Sequence, residues 1–276
     1  MSAILDVRNL SVLFRQRRQE IPLVEDVSFS VEKGRCLGIL GESGSGKSMA
    51  CKAVMRLLDK SFRVGGDVRF MGRDLLAESA ESVRRLRGSR ICMVLQNPMN
   101  CFDPLYRIGY QMAETFSEHT DLNRAGIREK SLDVLKLMRI REPKDVLQKY
   151  PHQLSGGMLQ RVMIGLALAL QPELIIADEP TTAIDSISQY AIMREFLRIK
   201  RSGNVGMIFI SHDLGVLSAI ADEVMVMHRG RVVESGPAEQ VFERAEDPYT
   251  RELIERHRTV MRRFLDSISE GERVAV

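Results

Sequence analysis

The sequence predicts an α/β fold: a mostly parallel sheet around a phosphate-binding loop, with an antiparallel β subdomain and an inserted α-helical subdomain. Three observations predict it. The stretch "GESGSGKS" (41–48) follows the apolar run "CLGIL" and precedes the helically spaced "MACKAVMRLL". The short apolar runs "RICMVLQ", "ELIIADE" and "VGMIFISHD" alternate with helical segments, as strands buried on both faces of a parallel sheet do. Between the first two of these runs, residues 97–153 turn polar and helical, which marks an insertion.

The elements follow in order. "AILDVRNLSVLF" and "LVEDVSFSVEKG" alternate apolar and polar residues and read as antiparallel strands, with "RQRRQEIP" as a loop between them. "RCLGIL" is a short buried strand that feeds the glycine-rich loop. That loop has the spacing G-x-x-x-x-G-K-S, with Gly41, Gly46, Lys47 and Ser48 at the fixed positions and Glu42, Ser43, Gly44 and Ser45 between them. Glycine lets the backbone approach a phosphate and turn its N–H groups inward as an anion nest. Lys47 reaches the β- and γ-phosphates, Ser48 offers a hydroxyl to Mg²⁺, and the helix that follows places its N-terminus on the phosphates. "GGDVRFMGRDL" reads as a hairpin strand. "RICMVLQ" is a buried strand that ends at Gln96. "IGYQMAETF" and "REKSLDVLKLM" are the clearest helices of the insertion. "SQYAIMREFLRIKRSG" is a helix between the last two buried strands, and "ADEVMVMHRGRVVESG" is a hairpin that turns at Arg229 and Gly230.

Composition sets limits on function. The chain of 276 residues holds one large domain with at most a modest appendage. A net charge of +3 gives no argument for nucleic acid, and the basic clusters "RQRR" and "RRLRGSR" read as solvated faces. Cys36, Cys51, Cys92 and Cys101 form no C-x-x-C pair and no zinc or iron–sulfur spacing, so reduced structural thiols in a cytosolic protein are expected. "MSAILDVRNL" lacks the basic and apolar regions of a signal peptide. The longest apolar run, "VMIGLALAL", falls short of the roughly 20 residues of a membrane span.

Two further stretches carry chemistry. In "LIIADE" an apolar strand delivers Asp178 and Glu179 at its carboxyl end. Asp178 suits Mg²⁺ binding, direct or through water, and Glu179 is placed to polarise an attacking water. "LSGGMLQRV" puts Ser155, Gly156 and Gly157 at the start of a strongly apolar helix. That is either an ordinary serine N-cap or a second anion site.

The set "GESGSGKS", Gln96, "LSGGM", "LIIADEP", "AID" and "SHD", in this order, resembles the ATP-binding-cassette ATPases over roughly residues 3–250. The resemblance implies an ATPase that uses ATP and Mg²⁺. It identifies residues 41–48 with the Walker A loop and Asp178 with the Walker B acid. Glu179 becomes the catalytic glutamate, and Gln96 the Q-loop glutamine that touches Mg²⁺ and water. Asp185 becomes the D-loop acid, with Ile184 where leucine is commoner, and His212 the switch histidine. Ser155, Gly156 and Gly157 become the signature that meets the γ-phosphate of ATP held by a partner ATPase. Phe14 is the candidate for stacking on adenine, where the family often has tyrosine. The implied organisation is a cassette over 1–250 with its helical subdomain at about 97–160, followed by a helical tail over 251–276.

Within the family, "LQNPMNCFDPLYRIGYQM" and the late "DPYTRELI" resemble the importers of dipeptides, oligopeptides and nickel. The longer oligopeptide members carry a C-terminal cysteine cluster. This chain has no cysteine beyond Cys101, which favours the shorter members, such as the D-type ATP-binding protein of nickel or metal-chelate importers. The implied partners are two integral-membrane permeases, a second homologous ATPase or a second copy, and indirectly an extracytoplasmic solute-binding protein. The implied place is the cytoplasmic face of the inner membrane, as a peripheral subunit. An exporter ATPase and a DNA-maintenance ATPase are the alternatives; the second carries long coiled coils that this chain lacks. Phe102, Leu105 and Tyr106 are expected at an exposed, permease-facing loop. Leu253, Val260, Phe264 and Ile268 share one face of an amphipathic tail helix.

Overall fold

The computed structural model describes residues 3–16, 19–182 and 184–257. Along the chain run β1 (Ala3–Gln16), β2 (Gln19–Glu32), β3 (Cys36–Leu40), α1 (Lys47–Val54), β4 (Phe62–Phe70) and β5 (Arg73–Asp74). Then come α2 (Ala80–Leu86), β6 (Ile91–Val94), α3 (Ile108–His119), α4 (Arg124–Leu137), α5 (Pro143–Val146) and α6 (Gly156–Ala169). The remainder is β7 (Leu174–Asp178), α7 (Ser186–Arg201), β8 (Gly206–Ile210), α8 (Leu214–Ile220), β9 (Glu223–His228), β10 (Arg231–Pro237) and α9 (Ala238–Glu243). A last described helix occupies 248–257.

Two sheets carry these elements. One is antiparallel, in the order β2-β1-β4-β5; the other has six strands in the order β10-β9-β3-β8-β7-β6, all parallel except β10. The parallel strands read as unbroken apolar runs because their two faces serve two cores. In β8, Met207 and Phe209 enter one cluster while Ile208 and Ile210 enter the other. In β9 the split is Val224 and Val226 against Met225 and Met227. Alternation with a period of two does this automatically. The first cluster joins the sheet to the helical insertion, through Met112, Phe116 and Val162 among others, and the second lies between the two sheets around α1.

Two expectations change. The stretch "RQRRQEIP" is not a plain loop, because the β1–β2 ladder continues through Arg15↔Glu20 to Gln16↔Gln19. Backbone pairing needs no apolar side chain, and Glu20 takes ion pairs from Arg15 and from Arg63 on β4, which suits charged residues to this exposed end. Phe102 is not exposed: it is buried in the first core cluster, while Leu105 is 78% exposed and Tyr106 and Tyr110 stack on each other at the surface. A loop apolar residue can fold back onto its own core, which local pattern does not reveal. Of the tail face, Leu253 is buried in that cluster; Val260, Phe264 and Ile268 lie outside the described residues. Cys36, Cys51 and Cys92 are buried free thiols and Cys101 is exposed. Among the described residues, no helix is long and apolar enough to cross a membrane.

Candidate active site

The parallel strands β3, β6, β7 and β8 finish at one edge of the sheet, and beyond each carboxyl end stands a residue of the expected site. Crevices at these ends are where open α/β sheets bind ligands. Residues 41–48 lead from β3 into α1. Gly46 stands at the N-cap of α1 with φ 101°, a conformation that suits glycine, and no side chain caps the helix. A Cβ on Gly41 would lie 2.3 Å from the Met227 carbonyl oxygen, so the loop presses directly against the end of β9. The turn after β9 supports it further, with the Gly230 N–H donating to the Ser45 carbonyl at 3.0 Å. Glu42, Ser43 and Gly44 are exposed, whereas Ser45 and Lys47 are buried.

Lys47 donates through Nζ to the carbonyl oxygens of Gly41 and Glu42, each at 2.8 Å, and to Ser45 Oγ at 3.3 Å. Burial pushes its pKa down, and the charges of Glu179, Asp178 and Glu42 oppose that shift. An ammonium held this way by neutral oxygens, beside an uncapped helix N-terminus, is arranged for a polyanion. Ser48 Oγ donates to Asp178 Oδ1 at 2.8 Å. Asp178 is buried, and that burial raises its pKa, with the Ser48 hydrogen bond and the Lys52 and Lys47 charges working against the rise.

Glu179 sits just past β7 with φ 46°, a left-handed conformation that costs a non-glycine residue about 1–2 kcal/mol. Its N–H donates to the Ile210 carbonyl at 3.0 Å, which holds the turn against β8. Three groups converge on one carboxylate oxygen, Oε2: Gln96 Nε2 at 2.9 Å, Thr182 Oγ1 at 3.1 Å and His212 Nδ1 at 3.5 Å. Residues more than eighty positions apart in the chain thus meet on one atom.

The other expected residues stand elsewhere. Ser155 caps α6, its Oγ accepting from the Met158 N–H at 3.2 Å, and Ser155 and Gly156 are exposed, with Gly157 half-buried. Asp185 caps α7, accepting from the Ser188 N–H at 3.0 Å; these hydrogen bonds lower its pKa. Phe14 packs its ring against Phe62, with centroids 5.2 Å apart. Sequence reasoning missed Gln160, Thr182 and Tyr249. Gln160 is buried in α6 and donates to the carbonyls of Leu95 (3.3 Å) and Pro180 (3.1 Å), so it ties that helix to the segments that carry Gln96 and Glu179. A polar residue on the buried face of an apolar helix was the available signal.

A phosphate-gripping loop, a buried acid and a cross-braced glutamate at one sheet edge define a phosphate-loop nucleoside-triphosphatase. Comparison with known proteins agrees. The family described as ABC transporter matches residues 24–182. The metal-staphylopine import system ATP-binding protein CntD of Staphylococcus aureus is 44% identical over 251 residues, covering 91% of this chain and 92% of that protein. The dipeptide transport ATP-binding protein DppD of Haemophilus influenzae is 40% identical over 271 residues, covering 98% and 80%. Among solved structures, a dimeric post-hydrolysis state of the ATP-binding cassette MJ0796 bound to ADP and Pi has a TM-score of 0.77. It is 24% identical and covers 85% of this chain and 98% of that one, so the fold is shared. The chain belongs to the ABC transporter family, and it is the ATPase subunit of an importer.

Proposed function

We propose that this ATPase powers uptake of a small metal chelate or peptide, through two membrane permeases, from the cytoplasmic face of the membrane. Support for the cargo class comes from CntD and DppD, whose alignments span most of each chain. Neither relative is a nickel importer by name, so nickel enters this reading as a chelated metal. The observation that carries the chemistry is the convergence of Gln96, Thr182 and His212 on Glu179 Oε2 beside Lys47 and the Ser48–Asp178 pair.

ATP fits the residues present. Lys47 would take the β- and γ-phosphates, and the free N–H groups at the start of α1 would close around them. Phe14 would stack on the adenine. Mg²⁺ also fits: Asp178 is a buried carboxylate whose negative charge a divalent cation would offset, and Ser48 and Gln96 would complete the protein's share of its ligands. When bound, Mg²⁺ neutralises charge on the phosphates as it develops. The chain's own residues do the rest. Among the described residues no hydrogen bond ends on Glu179 Oε1, which leaves that oxygen to accept the proton of an attacking water while the three groups on Oε2 fix the carboxylate. His212 stands beside it to meet the γ-phosphate.

Each ATP would lie between the Lys47 site of one cassette and the Ser155 turn of another, and a distinct homologous ATPase is the favoured partner. Ser155 is exposed at a helix tip, as a group awaiting a partner's ligand would be. The permeases would dock at the exposed Leu105, Tyr106 and Tyr110, next to a groove of about 1080 Å³ lined in part by Ala113, Leu122 and Leu147. The test is reconstitution with the permeases and measurement of ATPase stimulation by solute-binding protein. Loads of metal chelate, free nickel and dipeptide are compared. Stimulation by chelate or dipeptide supports the reading; stimulation by free nickel alone, or by none of the three, overturns it.

A further inference from the structure

The late "DPYT" stretch has no role in the chemistry above, yet it opens a helix that reaches the phosphate loop. Asp247 Oδ1 accepts from the N–H groups of Tyr249 (2.9 Å) and Thr250 (3.2 Å) and so starts the helix 248–257, with Pro248 in its first turn. Glu234 on β10 accepts from the N–H groups of Glu246 and Asp247, which anchors the approach. Thr250, Leu253 and Ile254 are buried, so the helix is seated on the core. The Tyr249 ring lies against His228 at a centroid distance of 3.9 Å.

From that seat the helix holds Glu42 at two points. The Glu42 N–H donates to the Tyr249 hydroxyl at 3.2 Å, and Arg256 Nη1 pairs with Glu42 Oε1 at 3.1 Å. Arg256 is steadied by Glu252 one turn earlier, at 2.6 Å. The third polar group of Glu42, its carbonyl oxygen, is one of the two that hold Lys47 Nζ at 2.8 Å. Glu42 therefore links the helix to the ammonium that meets the phosphates.

We propose that Tyr249 and Arg256 are positioning residues for ATP, which fix Glu42 and through its carbonyl set the place of Lys47. This rests on the reading of residues 41–48 as the ATP site. A loop left free at Glu42 would sample positions in which Lys47 and the N–H groups after it do not converge, and ATP would have to order it on binding. The loss falls on affinity, because neither residue touches the reacting atoms. Glu179 and its partners are untouched, so the chemical step keeps its rate once ATP is bound.

The test uses the full-length protein, with a fluorescent ATP analogue for Kd and steady-state ATPase for KM and kcat. Tyr249→Phe keeps the ring on His228 and removes the acceptor; Arg256→Gln removes the ion pair. Each is expected to raise Kd and KM roughly two- to tenfold, the size of one lost hydrogen bond, with kcat changed by less than about twofold. Arg256→Lys is expected to recover part of the affinity, and Arg256→Gln is expected to add little in a Glu42→Gln background, since both remove the same pair. Unchanged Kd and KM in both variants, or a fall in kcat at constant KM, overturns the proposal. So does a lower melting temperature with no change in Kd, which would show mere packing. Lys47→Ala is measured alongside. If it still binds nucleotide normally, the ATP-site reading fails; if it loses binding while Tyr249→Phe and Arg256→Gln keep theirs, the positioning role alone fails.

Discussion

The chain places a serine- and glycine-rich turn at the start of α1 and another at the start of α6, and the structure treats them in opposite ways. At α1 the N-cap is Gly46, which lies against Leu23 of β2 and Gly230 of the β9–β10 turn; no side chain caps the helix, Lys47 beside it is buried, and Glu42 in the same loop is tied to the helix 248–257. At α6 the N-cap is Ser155, whose hydroxyl already accepts from the Met158 N–H, and the turn is exposed. A helix begins with four unpaired N–H groups. Where a side chain supplies an acceptor, the end is stable by itself. Where none does and an ammonium is buried alongside, the end is suited to an anion. On the reading proposed above, the first turn would be the site for this chain's own ATP, and the exposed second turn would be open to a partner's ATP. Similar local composition gives an uncapped start beside a buried lysine in one place and a self-capped, exposed start in the other.

Four measurements test that contrast, in falling order of effect. Glu179→Gln removes the group braced inside the α1 site. It should lower hydrolysis by roughly 10²-fold or more, the usual range for a general base, with ATP binding kept. Near-normal turnover would remove Glu179 from the chemistry. Ser155→Arg blocks the α6 turn. In an assembled pair with one Walker A loop disabled at a time, it should lower hydrolysis at the partner's loop roughly 10²-fold, as loss of a preorganised donor does, and spare the site built on its own Lys47. Silencing of the same chain's site instead would mean that the two turns serve one ATP. Lys47→Ala should weaken ATP binding roughly 10- to 100-fold, the size of a lost charge-assisted contact, as read by nucleotide titration.

The gentlest test is of the buried acid against the exposed cap. Because burial raises the Asp178 pKa, protons would compete with an Mg²⁺ held there at higher pH than at an ordinary aspartate. The protonated acid cannot hold the cation, so affinity is full well above the raised pKa and falls as pH drops through it. Mg²⁺-dependent ATP binding titrated between pH 7 and pH 4 should therefore weaken on acidification, and Asp178→Asn should flatten the profile. By contrast Ser155→Ala, which removes the hydroxyl that caps α6, should cost about 1 kcal/mol of stability, a fall of roughly 2–4 °C in the melting temperature of the isolated chain, at unchanged pH dependence of its ATP binding.

Much of the candidate site was legible because its parts are local patterns with fixed spacing. Residues 41–48 announce a phosphate loop through glycines that a backbone nest requires, and "LIIADE" ends an apolar strand in two acids. The hairpin turn at Arg229 and Gly230 was equally readable, and both residues take positive φ there, 46° and 81°. The rest was hidden for a physical reason in each case. The burial of Phe102 depends on which way a loop folds over α3 and α6. Gln160 looks like any residue of "MLQRV" until Leu95 and Pro180 bring their carbonyls to it. Nothing near Glu42 in the chain points to Tyr249, which is 207 residues away.

By itself, then, the sequence determined which residue types stand at each turn, where most of the strands and helices run, and which family the chain resembles, since spacing and periodicity are properties of neighbours. Only the tertiary structure decided that Gln96, Thr182 and His212 share one oxygen of Glu179, that Phe102 turns inward, and that a helix near the chain's end grips the phosphate loop. Those outcomes come from long-range packing of a twisted sheet, whose strand order brings distant carboxyl ends to one edge, and no local pattern encodes that order.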